Sequence, residues 1–123
     1  MKIHYKNKSI EIFAKKVSPI GKVLGLMFKS KETDNLLFEF KNKTKMKIHS
    51  FFVFFKFLAV WLDEKNNVVD FKIVEPFEFS VSPKKPFRKL VELPFNDKNR
   101  KTISIFVGKS SARPLPSSIK RKI

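Results

Sequence analysis

Cysteine is absent from the 123 residues of this chain. Disulfide bonds and thiolate metal sites are therefore excluded, and cysteine usage gives no indication of the redox compartment. Glycine is scarce as well, with only 3 residues, and none of them has the spacing of a phosphate-binding loop. The sequence thus lacks the signature of a nucleotide-binding enzyme.

Histidine is limited to 2 residues, and acidic residues number only 11. His4 and His49 have no acidic ligand motif nearby, so we expect no metal site and no cofactor. His49 borders an apolar segment, where a histidine is more often a core or capping residue than a catalyst. Ser50 follows it, but neighbouring residues of a regular strand point to opposite faces, which argues against a serine–histidine pair. Glu92 and Asp63 are interpreted as solvated strand ends, because nothing fixes the distance between the two carboxylates.

No apolar run reaches the roughly 20 residues that a membrane-spanning helix needs. Residues 1–7 lack the apolar region of a secretory signal, so a cytoplasmic location is expected.

The longest apolar stretch covers residues 48–63, where Phe and Val dominate and Lys56 is the one interrupting charge before Asp63. This composition predicts buried β-structure, either one long strand bent at Phe55 and Lys56 or two consecutive strands. The residues of this stretch that we expect to be mostly buried are Phe51, Phe54, Val60, Trp61 and Leu62.

Positive charge dominates the composition, with 27 Lys and Arg residues and a formal net charge of +16. Such a surface attracts nucleic acid or another polyanion, and the rarity of arginine argues for non-specific attraction. Biased codon usage explains the same excess of lysine equally well. The candidate polyanion-binding residues are Lys41, Lys43, Lys45 and Lys47, which an extended chain would place on one face about 6–7 Å apart. A solvated turn between two strands is the plainer interpretation of this segment, and we favour it.

The remaining pattern predicts one β domain over residues 1–108, followed by a basic and disordered tail over residues 109–123. A hairpin is expected over residues 2–15, with its turn at Asn7 and Lys8, and a short helix over residues 19–28. Strands are expected over residues 36–40, 68–74, 90–94 and 102–107. Within the second of these, period-two alternation places Val69, Phe71 and Ile73 on one face.

Several short segments occur in an order that is similar to a known family. They are Gly-Leu-Met-Phe-Lys at 25–29, Asn-Leu-Leu-Phe-Glu-Phe at 35–40, Ile-His-Ser-Phe-Phe-Val at 48–53, Leu-Asp at 62–63, Pro76, Val-Glu-Leu-Pro at 91–94 and Gly108. Over roughly residues 15–108 the chain resembles the family called domain of unknown function 192, in the form of its archaeal members. The resemblance implies a mainly β fold, a small antiparallel β-sandwich or distorted jelly-roll-like barrel with one short helix in the N-terminal half. It implies no established activity.

Three positions depart from the family pattern: Lys29 stands in place of an arginine, Asn35 in place of a glycine and Leu58 in place of an aspartate. A site that relies on an Arg–Asp pair is therefore incomplete here.

Two functions remain open at this point. We favour a non-enzymatic binding or interaction module with a basic surface, whose partner is nucleic acid or another polyanion. The alternative is a small-ligand-binding or hydrolase-like protein with a cleft near residues 25–29, in which Lys29 and His49 bind the ligand.

Overall fold

Seven β-strands and one α-helix make up the part of the chain that the computed structural model describes, residues 1–17, 29–50, 53–78 and 80–108. The strands are β1 (Lys2–Tyr5), β2 (Lys8–Glu11), β3 (Lys15–Val17), β4 (Leu36–Thr44), β5 (Phe57–Leu62), β6 (Val68–Val74) and β7 (Phe87–Pro94). A 3₁₀ turn (Asp97–Asn99) leads into helix α1 (Arg100–Val107). The mainly β class predicted from the sequence is confirmed.

The strands form two sheets. Strands β1 and β2 pair as a hairpin, and the larger sheet has the order β3-β4-β7-β5-β6. Strand β3 runs parallel to β4, whereas the other neighbours in this sheet are antiparallel. The hairpin packs on one face of the larger sheet, and the described strands remain an open, sandwich-like arrangement.

Strand β5 lies between β7 and β6, and all six of its residues are buried. Its side chains alternate between two apolar clusters on opposite faces of the sheet, as a strand covered on both sides requires. The first cluster joins Leu58, Val60 and Leu62 to the hairpin and to α1. The second joins Phe57, Ala59 and Trp61 to side chains of β4, β7 and the loops after β4 and β6. The expectation that the hairpin covers part of this stretch is thereby confirmed.

Only part of the 48–63 stretch is a strand. Ile48 forms an isolated bridge with Val81, and β5 begins at Phe57, directly after the predicted bend. Lys56 lies outside the strand, with its ammonium nitrogen 4.6 Å from the centre of the Phe95 ring. This position keeps the charge off both buried faces.

Burial of Val60, Trp61 and Leu62 is confirmed, whereas the prediction for Phe54 is wrong, because its side chain is 62% exposed. Phe54 precedes β5 and its ring contacts that of Phe77, which is exposed as well. Phe51 and the helix expected over residues 19–28 lie outside the described residues, as does the tail.

Residues 102–107 were expected to form a strand, and this prediction is wrong because they belong to α1. The β-branched residues favour a strand, but the helix buries Ile103 and Phe106 against the sheet, three positions apart, and this tertiary packing decides the conformation. The chain enters the helix through Asn96, whose side chain accepts a hydrogen bond from the N–H of Asn99.

Two smaller expectations also need correction. The first hairpin turns at Lys6 and Asn7 rather than one residue later, because both adopt positive φ angles of 48° and 64°. Val69 packs on the face opposite to Phe71 and Ile73, because the β5–β6 register shifts by one residue beside it.

Replacing Trp61 by alanine is expected to lower the free energy of unfolding by about 3–5 kcal/mol, because the ring is fully buried and its removal leaves a cavity. That loss is a large fraction of the stability of an ordinary domain. Urea unfolding followed by far-UV circular dichroism measures the change.

The matched control is Phe54→Ala, which removes a largely exposed ring and is expected to change the free energy of unfolding by less than about 1 kcal/mol. Equal losses in the two variants would contradict the burial pattern of this stretch.

Candidate binding cavity and basic segment

A cavity of about 170 Å³ lies on the face of the larger sheet that carries the Trp61 cluster. Strands β4 and β7 form its floor, and the segment after β4 forms one wall. The described lining residues are Phe38, Phe40, Met46, Lys47, Ile48, His49, Phe87, Leu90 and Glu92. The lining is thus largely aromatic and aliphatic, with three polar side chains, as small-molecule sites in proteins commonly are.

Glu92 is the buried acid of this cavity. Its side chain is 7% exposed and lies in β7, directly between Leu36 of β4 and Ala59 of β5. Within the described part of the chain, the carboxyl group makes no hydrogen bond or ion pair. Burial raises the pKa of Glu92 to about 8, because an ionised carboxylate loses its hydration there. The group is therefore mostly protonated at neutral pH and offers an O–H donor beside a C=O acceptor.

The expectation that Glu92 is a solvated strand end is wrong, and the register explains why. Its neighbours Val91 and Leu93 point to the first apolar cluster, so Glu92 must point to the opposite face. That face is also covered, and the small side chain of Ala59 leaves room for the carboxyl group. The Trp61 indole N–H on the same face is buried and also has no hydrogen-bond partner within the described structure.

Asp63, the other acid considered from the sequence, has a separate structural role. Its carboxylate accepts hydrogen bonds from the backbone N–H groups of Lys65 and Asn67. It shapes the turn between β5 and β6, where Asn66 adopts a φ of 66°. The Asp63 carboxylate is thus engaged in the turn, whereas Glu92 lines the cavity.

His49 and Ser50 point to different surroundings, as expected for neighbouring residues. His49 is half-buried and lines the cavity. Ser50 is fully buried, and its hydroxyl donates to the Glu75 carbonyl at 2.7 Å and accepts from the backbone N–H of Glu78. Ser50 thus connects the loop after β6 to the cavity wall. Its hydroxyl has a structural role both as a donor and as an acceptor.

The lysine row, defined as Lys41, Lys43, Lys45 and Lys47, borders the same cavity. The chain leaves the cavity lining after Phe40 and returns to it at Met46, so the row lies along the rim. All four side chains are exposed, and none forms an ion pair with a described residue. The interpretation of the whole segment as a turn is wrong, because residues 41–44 belong to β4 and only residues 45–47 are irregular.

A register shift in β4 creates this rim. Between the pairs Glu39–Lys89 and Thr44–Phe87, β4 advances five residues while β7 advances two, so β4 has three extra residues. The bulge is fastened by Arg88, whose Nε donates to the Phe40 carbonyl at 2.8 Å. Bulges of this kind redirect side chains out of the sheet.

Lys29, the other ligand-binding residue predicted from the sequence, is exposed and is not part of the described cavity lining. The structure therefore brings His49 together with Lys47 and Glu92 rather than with Lys29. Residues 25–28 lie outside the described residues, so the cleft expected near them stays a prediction.

A second, more polar cavity of about 260 Å³ lies near the 3₁₀ turn. Asn35 and Asn99 face each other there through reciprocal amide hydrogen bonds of 3.1 and 2.7 Å. Asn35 also donates to the Phe13 carbonyl, and Asn99 to the Pro94 carbonyl. These amides tie the starts of β4 and α1 together, so we assign them a structural role.

Within the described ranges, no three histidine or acidic side chains lie close enough together to hold a metal ion. None of the described helices has the length and apolar character that crossing a membrane requires.

Comparison with known proteins supports the fold. No protein-family model and no curated protein matches the sequence. A solved structure of a protein of unknown function from Novosphingobium aromaticivorans DSM 12444 is similar, with a TM-score of 0.67 and 10% identity over 81% of this chain and 74% of that chain. A proposed transcription regulator from Sinorhizobium meliloti 1021 is similar as well, with a TM-score of 0.67 and 15% identity over 84% of this chain and 82% of that chain. At these identities the likeness shows a shared fold alone.

The raised pKa of Glu92 makes the stability of the protein depend on pH. Between the ordinary carboxyl value of 4.5 and the folded value of about 8, the unfolded chain has lost the proton that the folded chain keeps. The free energy of unfolding is therefore highest below about pH 4.5 and falls as the pH rises toward 8, by about 3–5 kcal/mol in all. Urea unfolding at several pH values between about 5 and 9 measures this loss.

Glu92→Gln is expected to remove most of this pH dependence, because the amide does not ionise. Glu64→Gln changes an exposed acid of the β5–β6 turn and is expected to leave the dependence as it is. A wild-type protein with constant stability over this range would show that Glu92 is hydrated in the folded state.

Proposed function

We propose that this protein is a non-enzymatic nucleic-acid-binding domain and that the lysine row is its contact surface. The observation that carries the proposal is four exposed lysines without ion pairs along one rim, in a segment that contains no acidic residue between Phe40 and Ser50. Unpaired ammonium groups attract phosphates, and release of the phosphates' counterions favours binding.

The overall charge supports the same partner, since a net charge of +16 attracts polyanions from a distance. The similarity to a proposed transcription regulator agrees with this function, although it concerns the fold. The cavity with His49 favours a second candidate, the binding of a small ligand, and both functions use the same side of the sheet.

We also infer membership of the domain of unknown function 192 family. The support is the order of the short sequence segments between residues 25 and 108, together with a mainly β fold that agrees with the one the resemblance implies. Leu58 is fully buried in the first apolar cluster. The departure from the family's aspartate therefore places an apolar side chain in the core of this chain.

The test is the salt dependence of binding to a short single-stranded DNA. The affinity of the wild-type protein is expected to fall steeply with salt concentration, and replacing all four lysines of the row by glutamine is expected to reduce the log–log slope by up to about 3 units. Fluorescence anisotropy titrations from low to moderate salt measure both slopes.

A control variant with Lys2, Lys6, Lys8 and Lys101 replaced by glutamine loses the same charge from exposed positions of the hairpin and α1, which cover the other face of the sheet. It is expected to retain most of the wild-type slope. Equal effects of the two variants would assign the attraction to net charge, and no binding at low salt would overturn the proposed function.

A further inference from the structure

The cavity and the lysine row share one rim, and the size of the cavity limits what enters it. An apolar protein cavity of about 150 Å³ holds one benzene molecule. A cavity of about 170 Å³ therefore accommodates one six-membered ring and is small for a fused two-ring system. Of the three phenylalanines that line the cavity, Phe38 and Phe87 are almost fully buried, so the half-buried Phe40 supplies most of the aromatic surface on which a flat ring packs. The Phe40 and Phe87 rings meet edge to face at 5.4 Å.

The polar chemistry of the cavity limits the ligand further. The Glu92 carboxyl group is more than nine-tenths buried, lines the cavity and has no partner within the described structure. A protonated carboxyl group presents a donor and an acceptor side by side. The Watson–Crick edge of a pyrimidine presents the matching pair, an N4 amino donor beside the N3 acceptor in cytosine, or an N3–H donor beside the O4 acceptor in thymine and uracil.

We propose that this cavity binds one pyrimidine base of a single-stranded nucleic acid, with the Glu92 carboxyl group pairing with the base edge and the lysine row following the adjacent phosphates. The inference rests on the proposed function and specifies its ligand. A single strand is required because the base edge is occupied in a duplex and an unstacked base is free to leave the strand. The half-buried residues Met46, Ile48 and His49 leave this wall of the cavity accessible beside the row.

Short oligonucleotides of one length test the proposal: oligo-dC, oligo-dT, oligo-dA and an abasic strand. The wild-type protein is expected to bind the two pyrimidine strands roughly tenfold more tightly than the abasic strand, because base burial adds to phosphate contact. Oligo-dA is expected to bind like the abasic strand. Anisotropy titrations at fixed low salt give all four dissociation constants.

Two substitutions of Glu92 separate base pairing from packing. Glu92→Gln keeps a donor and an acceptor side by side, so the preference for pyrimidines is expected to persist. Glu92→Leu fills similar space without polar atoms. This variant is therefore expected to bind every strand with about the affinity that the wild-type protein has for the abasic strand. Cooperative urea unfolding of both variants establishes that they are folded.

The pH profile provides a readout that a purely structural role of Glu92 would not produce. The preference of the wild-type protein for oligo-dC over the abasic strand is expected to decline above about pH 8, where the carboxyl group ionises and loses its donor. Lys47 and His49 are the other titratable side chains among the described lining residues, whereas β4 and β7 contribute only apolar side chains besides Glu92. Because Lys47 and His49 are present in Glu92→Gln as well, a flat profile in that variant assigns the decline to Glu92.

The outcomes distinguish the two proposals. Binding of all four strands with equal affinity would overturn the base site and leave the basic contact surface in place. Equal affinities for oligo-dA and oligo-dC that both exceed the affinity for the abasic strand would show that the cavity also accepts bases with two rings. That result would overturn the restriction to pyrimidines. No binding of any strand at low salt would overturn both.

Discussion

Burial of β5 on both faces is the constraint on which the rest of the structure depends. Its six residues are apolar without interruption, so covering one side of the strand would leave half of them in water. The hairpin and α1 supply the cover on one face, and β4, β7 and the adjoining loops complete the other cluster. The position of Lys56 just outside the strand, above the Phe95 ring, follows from the same requirement.

The doubly covered sheet also explains why an acid is buried. A strand next to β5 that contributes apolar side chains to one face of the sheet must direct its alternate side chains to the other face, which is also covered. In β7 those alternate residues are Leu90 and Glu92, and the carboxyl group therefore reaches the largely apolar lining of the cavity, where it loses most of its hydration. An isolated buried carboxyl group avoids the cost of an unpaired charge by keeping its proton, which is the origin of its raised pKa.

Period-two alternation predicted the presence of the hairpin and of strands β4, β6 and β7, since each has side chains that repeat every second residue. It did not give all of their bounds and faces, because β4 extends to Thr44, β7 begins at Phe87 and Val69 lies on the opposite face of β6. Helix α1 was missed because its β-branched residues favour a strand, and the packing of Ile103 and Phe106 that decides otherwise is a long-range effect. The bulge in β4 was missed because a register shift depends on the partner strand. Glu92 was missed because its position between Val91 and Leu93 has the apolar–polar–apolar pattern of a strand with one solvated face. The apolar residue two positions earlier, Leu90, is the sequence signal that the face of Glu92 is also covered.

The neutral state of Glu92 also resolves an apparent conflict within the proposed site. A fixed negative charge inside the cavity would repel nearby phosphates and offset part of the attraction from the four lysines of the row. Those lysines are exposed and well hydrated, so their influence on the buried carboxyl group is screened, and burial determines its protonation. At neutral pH the site therefore combines positive charge at its rim with an uncharged hydrogen-bonding group inside. This arrangement suits a ligand that is anionic along its backbone and neutral at the part that enters the cavity.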